Sequence, residues 1–253
     1  MMTDPLKDAV LARRLLGMLD LTTLNETDDD ETIRRLAVNA VTAVGHVAAL
    51  CTWSRLIAPA LVCLTGTGIP VAAVANFPNG ASDAQEAAAQ TAQAVAAGAG
   101  EVDVVLPWRA LLAGDRDTPL ALVRACRAAC GPAAHLKVIL ETGQLATPAR
   151  IREAADIAIA GGAHFLKTST GKTQPGATLL AAEVMLDAIA QAQTQGVRVG
   201  FKASGGVRTM AEATGYLALY ERRFGAGSAG PAVFRIGASQ LVHELLSVAK
   251  EYA

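Results

Sequence analysis

Apolar residues are spread along this chain in two alternating rhythms. Short β-like runs lie near 17–21, 45–50, 70–76, 101–106, 135–141, 164–169, 197–203 and 233–237. Between them stand longer Ala-, Arg- and Glu-containing segments whose apolar positions return with helical spacing. The segment 82–97 is the clearest, with Ser82 as candidate N-cap, Glu86 four residues on and Gly98 as the stop. Thr147, followed by Pro148 at the first helical position, and Thr178 open the helices after strands five and six. A segment over 3–16 places Leu6, Val10, Leu11, Ala12, Leu15 and Leu16 on one side, which predicts a helix added before the main fold.

Strand starts recur every 25 to 40 residues. Eight strands alternating with helices predict a parallel sheet, and eight such units in 253 residues predict a (β/α)8 TIM barrel. One domain over 1–253 is expected, ending in a short tail over 247–253, because no linker, low-complexity tract or charge block divides the chain. A doubly wound open sheet is the alternative, but no Gly-rich turn follows the first strand to support a dinucleotide site.

Alternation along a barrel strand fixes where polar residues point. Val102, Val104 and Leu106 belong towards the helices, which turns Asp103 inward. By the same parity Leu136, Val138 and Leu140 send Lys137 inward, Leu166 sends Lys167, Val199 and Phe201 send Lys202, and Leu19 and Leu21 send Asp20. Any one of these is equally well read as part of a buried ion pair that fixes register. Two aspartates and three lysines in one interior, with a lysine left over, point instead to chemistry. The charged positions lie mid-strand or later, so they are expected at the floor of the C-terminal mouth, where barrel active sites form.

The chain carries six lysines against sixteen arginines, so lysines inside apolar runs are not there for surface charge. Strands six and seven are neighbours roughly 5 Å apart. Repulsion between Lys167 and Lys202, together with burial, is expected to leave one amine neutral. A neutral amine attacks carbonyls and forms a Schiff base. Asp103, one strand pair away, is placed to shuttle protons through a water.

Composition narrows the field further. A net charge of −1 argues against a nucleic-acid partner. Cys51, Cys63, Cys126 and Cys130 form no CxxC pair and read as reduced thiols of a cytosolic protein. Asp4, Lys7 and Asp8 break the N-terminus, and no apolar run approaches the length of a membrane span, so neither a signal peptide nor a membrane segment is expected. The four histidines show no HxH or HxxxH spacing, so no metal site is expected. Glycines after three adjacent strands, in Thr170-Gly171-Lys172, Ser204-Gly205-Gly206 and Gly237-Ala238-Ser239, offer backbone N–H groups to a phosphate.

Several runs together resemble deoxyribose-phosphate aldolase: Asp20-Leu-Thr-Thr-Leu24, Asn76-Phe-Pro-Asn-Gly80, Glu101-Val-Asp-Val-Val105, Leu136-Lys-Val-Ile-Leu-Glu-Thr-Gly143, Phe165-Leu-Lys-Thr-Ser-Thr-Gly-Lys172, Gly200-Phe-Lys-Ala-Ser-Gly-Gly-Val-Arg208 and Arg235-Ile-Gly-Ala-Ser239. The resemblance covers nearly the whole chain in order. It implies a cytoplasmic, cofactor-free and metal-free class I aldolase, a carbon–carbon lyase of deoxyribose phosphate catabolism. Such an enzyme interconverts 2-deoxy-D-ribose 5-phosphate with D-glyceraldehyde 3-phosphate and acetaldehyde. It further implies Lys167 as the Schiff-base lysine, Lys202 as the residue that lowers its pKa and transfers protons, and Asp103 as proton donor and acceptor. Asp20 and Lys137 would support them, Gly171, Lys172, Gly205, Gly206, Gly237 and Ser239 would bind phosphate, and Thr170 would border the pocket. Cys51, at the end of strand two, is a second candidate for the pocket border, although a small buried thiol is the plainer reading. A homodimer is implied as well.

The chain departs from the family's pattern at several positions. Gln240 stands where a second serine often follows Ser239, His46 and Trp53 stand where Asn and Tyr are expected, and Tyr252 is followed by Ala253 in a short tail. Another Schiff-base aldolase or transaldolase acting on a different sugar phosphate stays open, whereas the joint presence of Lys167, Lys202 and Asp103 speaks against a sugar-phosphate-binding barrel that has lost catalysis.

Overall fold

The computed structural model describes residues 5–250. Eight parallel strands close into a barrel: β1 (Leu19–Thr22), β2 (Ala49–Thr52), β3 (Val71–Ala75), β4 (Glu101–Val105), β5 (His135–Ile139), β6 (Phe165–Lys167), β7 (Gly200–Ser204) and β8 (Phe234–Ala238). Each pairs with its neighbours in sequence, and β8 pairs with β1 to complete the ring. Parallel neighbours cannot be joined by a tight turn, so every connection crosses over through at least one helix. The architecture is a (β/α)8 TIM barrel.

Strand alternation sorts the apolar residues into two zones. Leu19, Leu21, Val102, Val104, Leu136, Val138, Leu166 and Phe201 join the large core between strands and helices. Burying each Leu or Phe there contributes roughly 1.5–3 kcal/mol. Ala49 and Cys51 of β2, Ala72 and Val74 of β3, and Leu24 form a separate, smaller cluster inside the barrel. The inward charged residues come from the other six strands. Small apolar side chains on one side of a close-packed interior leave the volume that long lysines fill on the other.

Local chemistry moves several expected boundaries. Asp83, not Ser82, caps the helix Ala84–Ala96, accepting from the backbone N–H groups of Gln85 and Glu86. Thr147 and Thr178 cap the helices Pro148–Ala160 and Leu179–Thr194 as expected. The run near 45–50 splits: Gly45–His46 pairs with Val41–Thr42 in a small antiparallel hairpin, and β2 begins at Ala49. His46 therefore lies outside the barrel. Strand β6 stops at Lys167 because the Thr168 hydroxyl bonds both the carbonyl and the N–H of Ser204.

Strand β7 starts later than the apolar run suggests. Val197 is 41% exposed, and Gly200 is where the Phe165 ring fills the space a Cβ would need. The leading helix is Pro5–Leu16, whose buried face is Ala9, Ala12, Leu15 and Leu16, whereas Leu6 and Val10 are exposed. Most of the expected tail is helical, within Leu241–Lys250, and Tyr252 lies outside the described residues. Among the described residues no helix is long and apolar enough to cross a membrane.

Candidate active site

Parity and register bring the five inward residues into one buried cluster. Asp103 and Lys137 are register partners on β4 and β5, as are Lys167 and Lys202 on β6 and β7. Asp103 Oδ2 accepts from Lys167 Nζ at 2.8 Å and from Lys202 Nζ at 2.7 Å. Lys202 also reaches Asp20 Oδ2 at 2.5 Å. Lys137 contacts Asp20 and Asp103, each at 3.1 Å, and bonds Glu101 as well. All of these groups are almost wholly buried. Asp103 thus touches both lysines directly.

Two members of the cluster escaped the sequence reading. Glu101 lies two residues before Asp103 on β4 and so shares its inward parity. Arg235 stands between the outward Phe234 and Ile236 of β8. Its guanidinium donates to Asp20 Oδ1 at 2.6 Å and to Glu101 Oε1 at 2.9 Å. The alternation that revealed Asp103 and Lys202 carried the signal for both.

Electrostatics separate the three lysines. Burial pushes the Lys167 amine below its ordinary value, and the neighbouring Lys202 ammonium adds to this, while Asp103 opposes. For Lys202, burial acts downward too, but Asp103 and Asp20 overcome it and hold the amine above its ordinary value. Lys137 is likewise buried, yet Asp103, Asp20 and Glu101 hold it well above. Burial favours a protonated Asp103, but Lys137, Lys167 and Lys202 keep it ionised, its pKa well below the usual carboxylate value. Burial raises the Cys51 thiol, whose sulfur lies 4.0 Å from Asp103 Oδ2.

Directly above this cluster opens a cavity of about 430 Å³. Thr22, Ser204 and Gly237 line it, each two residues beyond Asp20, Lys202 and Arg235 on the same strand. Each is therefore one layer nearer the mouth on the same inner face. Thr170, Gly171, Lys172, Gly205, Gly206, Arg208, Ser239 and Gln240 line it as well, with Thr23 and Asn25 from the loop after β1.

The loop after β6 is shaped by a buried carboxylate. Glu141 accepts from the Thr170 hydroxyl at 2.6 Å and from its N–H at 3.2 Å, and the same hydroxyl accepts from the Lys172 N–H. Gly171 and Gly205 adopt positive φ of 79° and 91° and pack against each other, a closeness that side chains would prevent. The Lys172 ammonium donates to the Leu24 carbonyl at 2.7 Å, tying the loops after β1 and β6 together at the rim. Backbone N–H groups, a lysine and hydroxyls facing one cavity make a receptacle for an anionic group.

The histidines take no part in this. His135 and His164 meet edge to face at 4.9 Å at the opposite end of the barrel, and His164 Nδ1 accepts from the Leu136 N–H. Among the described residues no group of three or more His, Cys, Asp or Glu side chains is placed to hold a metal ion.

Solved structures share this fold. One from Toxoplasma gondii ME49, provisionally named a deoxyribose-phosphate aldolase, superposes with a TM-score of 0.89 at 23% identity, covering 100% of this chain and 98% of its own. Another from Coccidioides immitis, named with the same reserve, gives 0.79 at 28% identity over 92% and 86%. A tetrameric deoxyribose phosphate aldolase from Aeropyrum pernix gives 0.76 at 22% identity over 98% of both chains. The family model described as DeoC/LacD family aldolase matches residues 14–229. With most of its length inside that match, the chain belongs to the DeoC/LacD family of aldolases.

Proposed function

We propose that the protein is a class I aldolase that reversibly cleaves 2-deoxy-D-ribose 5-phosphate into D-glyceraldehyde 3-phosphate and acetaldehyde. The observation that carries this reading is the sharing of one Asp103 oxygen by Lys167 and Lys202, with Lys167 the member pushed towards the neutral amine. In the proposed sequence Lys167 Nζ adds to the C1 aldehyde of the open-chain sugar, and loss of water leaves an iminium. A base takes the proton of the C3 hydroxyl, the C2–C3 bond breaks, and its electron pair moves into the iminium to give an enamine. Glyceraldehyde 3-phosphate departs. Protonation of the enamine carbon followed by hydrolysis releases acetaldehyde and restores the amine.

Lys202 supplies the proton in this scheme, because its two carboxylate partners keep it charged. Asp103 accepts hydrogen bonds from both amines and relays between them. Gly171, Lys172, Gly205, Gly206, Gly237 and Ser239, which line the cavity, hold the phosphate, and Thr170 shapes the loop. A homodimer fits the family resemblance. Cleavage of deoxyribose 5-phosphate in the presence of EDTA, beside a panel of other sugar phosphates, tests the reading. Faster cleavage of fructose phosphates would favour the second Schiff-base aldolase assignment instead.

A further inference from the structure

Four cationic side chains, Lys137, Lys167, Lys202 and Arg235, meet three carboxylates, Asp20, Glu101 and Asp103, in the buried cluster. With every group ionised the cluster would hold one uncompensated positive charge, which is costly in a desolvated site. The contacts select the group that gives up its proton. Lys137 touches all three carboxylates, Lys202 touches two, and Lys167 touches Asp103. Arginine does not deprotonate in proteins. Without Arg235, three lysines would face three carboxylates and no cation would be in excess.

We propose that Arg235, held on Glu101, is a positioning residue whose fixed charge makes Lys167 the surplus cation of the cluster. The proposal rests on the reading of Lys167 as the amine nucleophile and extends it to two residues that need never touch substrate. Arg235 is well fixed for this role. It bonds Asp20, Glu101 and the Pro231 carbonyl, and its guanidinium carbon lies 5.6 Å from the centre of the Phe165 ring.

The charged and titratable groups facing Lys167 are Asp103 from β4, Lys202 from β7 and the Cys51 thiol from β2. Those facing Arg235 are Asp20 from β1 and Glu101 from β4, with Lys137 of β5 bonded to the same two carboxylates. Cys51 is driven up by burial and adds no charge. The neutral state therefore pairs Lys137, Lys202 and Arg235 with Asp20, Glu101 and Asp103 and leaves Lys167 as the free amine.

The test is the pH dependence of adduct formation between the full-length chain and acetaldehyde, trapped with borohydride and read by intact mass. For Arg235→Gln the midpoint should move up by about one unit, a typical size for an altered charge environment. Arg235→Lys should titrate with the wild type, because it restores the charge. Glu101→Gln should move the midpoint down, and the double variant Arg235→Gln/Glu101→Gln should return it towards the wild-type position. A midpoint unmoved in Arg235→Gln, or a double variant that titrates like Arg235→Gln, would overturn the proposal. If Arg235→Gln does not fold, Glu101→Gln decides the matter, and an unmoved or raised midpoint there overturns it. A wild-type protein with no adduct at any pH defeats the Schiff-base reading itself, an outcome recognisable without any variant.

Discussion

A Cβ placed on Gly237 would sit 2.9 Å from Lys202 Cε and 2.9 Å from Ser204 Oγ. The glycine is therefore the space in which the Lys202 side chain lies on its way to Asp20 and Asp103. Gly237→Ala should displace that ammonium and lower kcat by about a hundredfold, the usual cost of an ångström-scale misplacement. Steady-state kinetics on a variant with wild-type circular dichroism checks this, and an unchanged kcat contradicts it.

Lys202 itself should be harder to replace. Lys202→Leu removes the proton source and the like charge beside Lys167, so activity should fall by about 10²–10⁴-fold. The Lys167 pKa should rise at the same time, because a repelling cation has gone and two carboxylates have lost a partner. Activity should then need a higher pH. A pH–rate profile that keeps its shape would break the coupling between the two lysines.

The phosphate receptacle gives a prediction that separates binding from chemistry. Gly205 has φ of +91°, and a Cβ there would lie 3.1 Å from the Ser169 Cβ and 3.3 Å from Gly171. Gly205→Ala should push the two loops apart and raise KM for deoxyribose 5-phosphate by roughly tenfold, the effect of about 1.4 kcal/mol of lost binding. Unphosphorylated deoxyribose should be cleaved as by the wild type. Equal losses on both sugars would mean that the loop acts on the chemistry and not on the phosphate.

Away from the mouth, His164 should set part of the acid sensitivity of the fold. Burial first, then Arg127 and His135, push its pKa down to about 4. The unfolded chain takes up this proton near pH 6.5 and the folded chain only near 4, so protonation favours unfolding between those values. Stability present above about 6.5 is lost as the pH falls towards 4. Because the imidazole is only half-buried, solvent screening keeps the effect modest. His164→Asn keeps an acceptor for the Leu136 N–H but cannot titrate, so its Tm should fall less across this window. Parallel Tm curves for the two proteins would show that His164 is not the group responsible.

Much of this site was legible because strand alternation is a strict two-residue rule. Once Val102, Val104 and Leu106 are assigned to the helix side, Asp103 has nowhere to point but inward, and the same holds for Lys167 beside Leu166. Glu101 and Arg235 obey the same rule. Both open runs that carry the resemblance, but each stands near a strand start, where polar residues ordinarily face solvent, so neither signals an inward role. What alternation cannot supply is distance. The direct contact of Asp103 with both lysines depends on barrel stagger and on the small residues of β2 and β3, which are properties of the closed ring. Boundaries moved for local reasons: Asp83 competes with Ser82 for the cap, and Thr168 bonds Ser204 and ends β6 early. Leu6 and Val10 fit the helical period yet stay exposed, because the partner surface lies along Ala9, Ala12 and Leu16.

The central claim is that Lys167 is the amine that captures the aldehyde. Incubation with acetaldehyde and borohydride, followed by peptide mass mapping, should show one reduced two-carbon adduct, on Lys167. Lys167→Ala should show none and lose cleavage of deoxyribose 5-phosphate. An adduct on Lys202 or Lys137 in place of Lys167, or full cleavage activity in Lys167→Ala, would contradict the account.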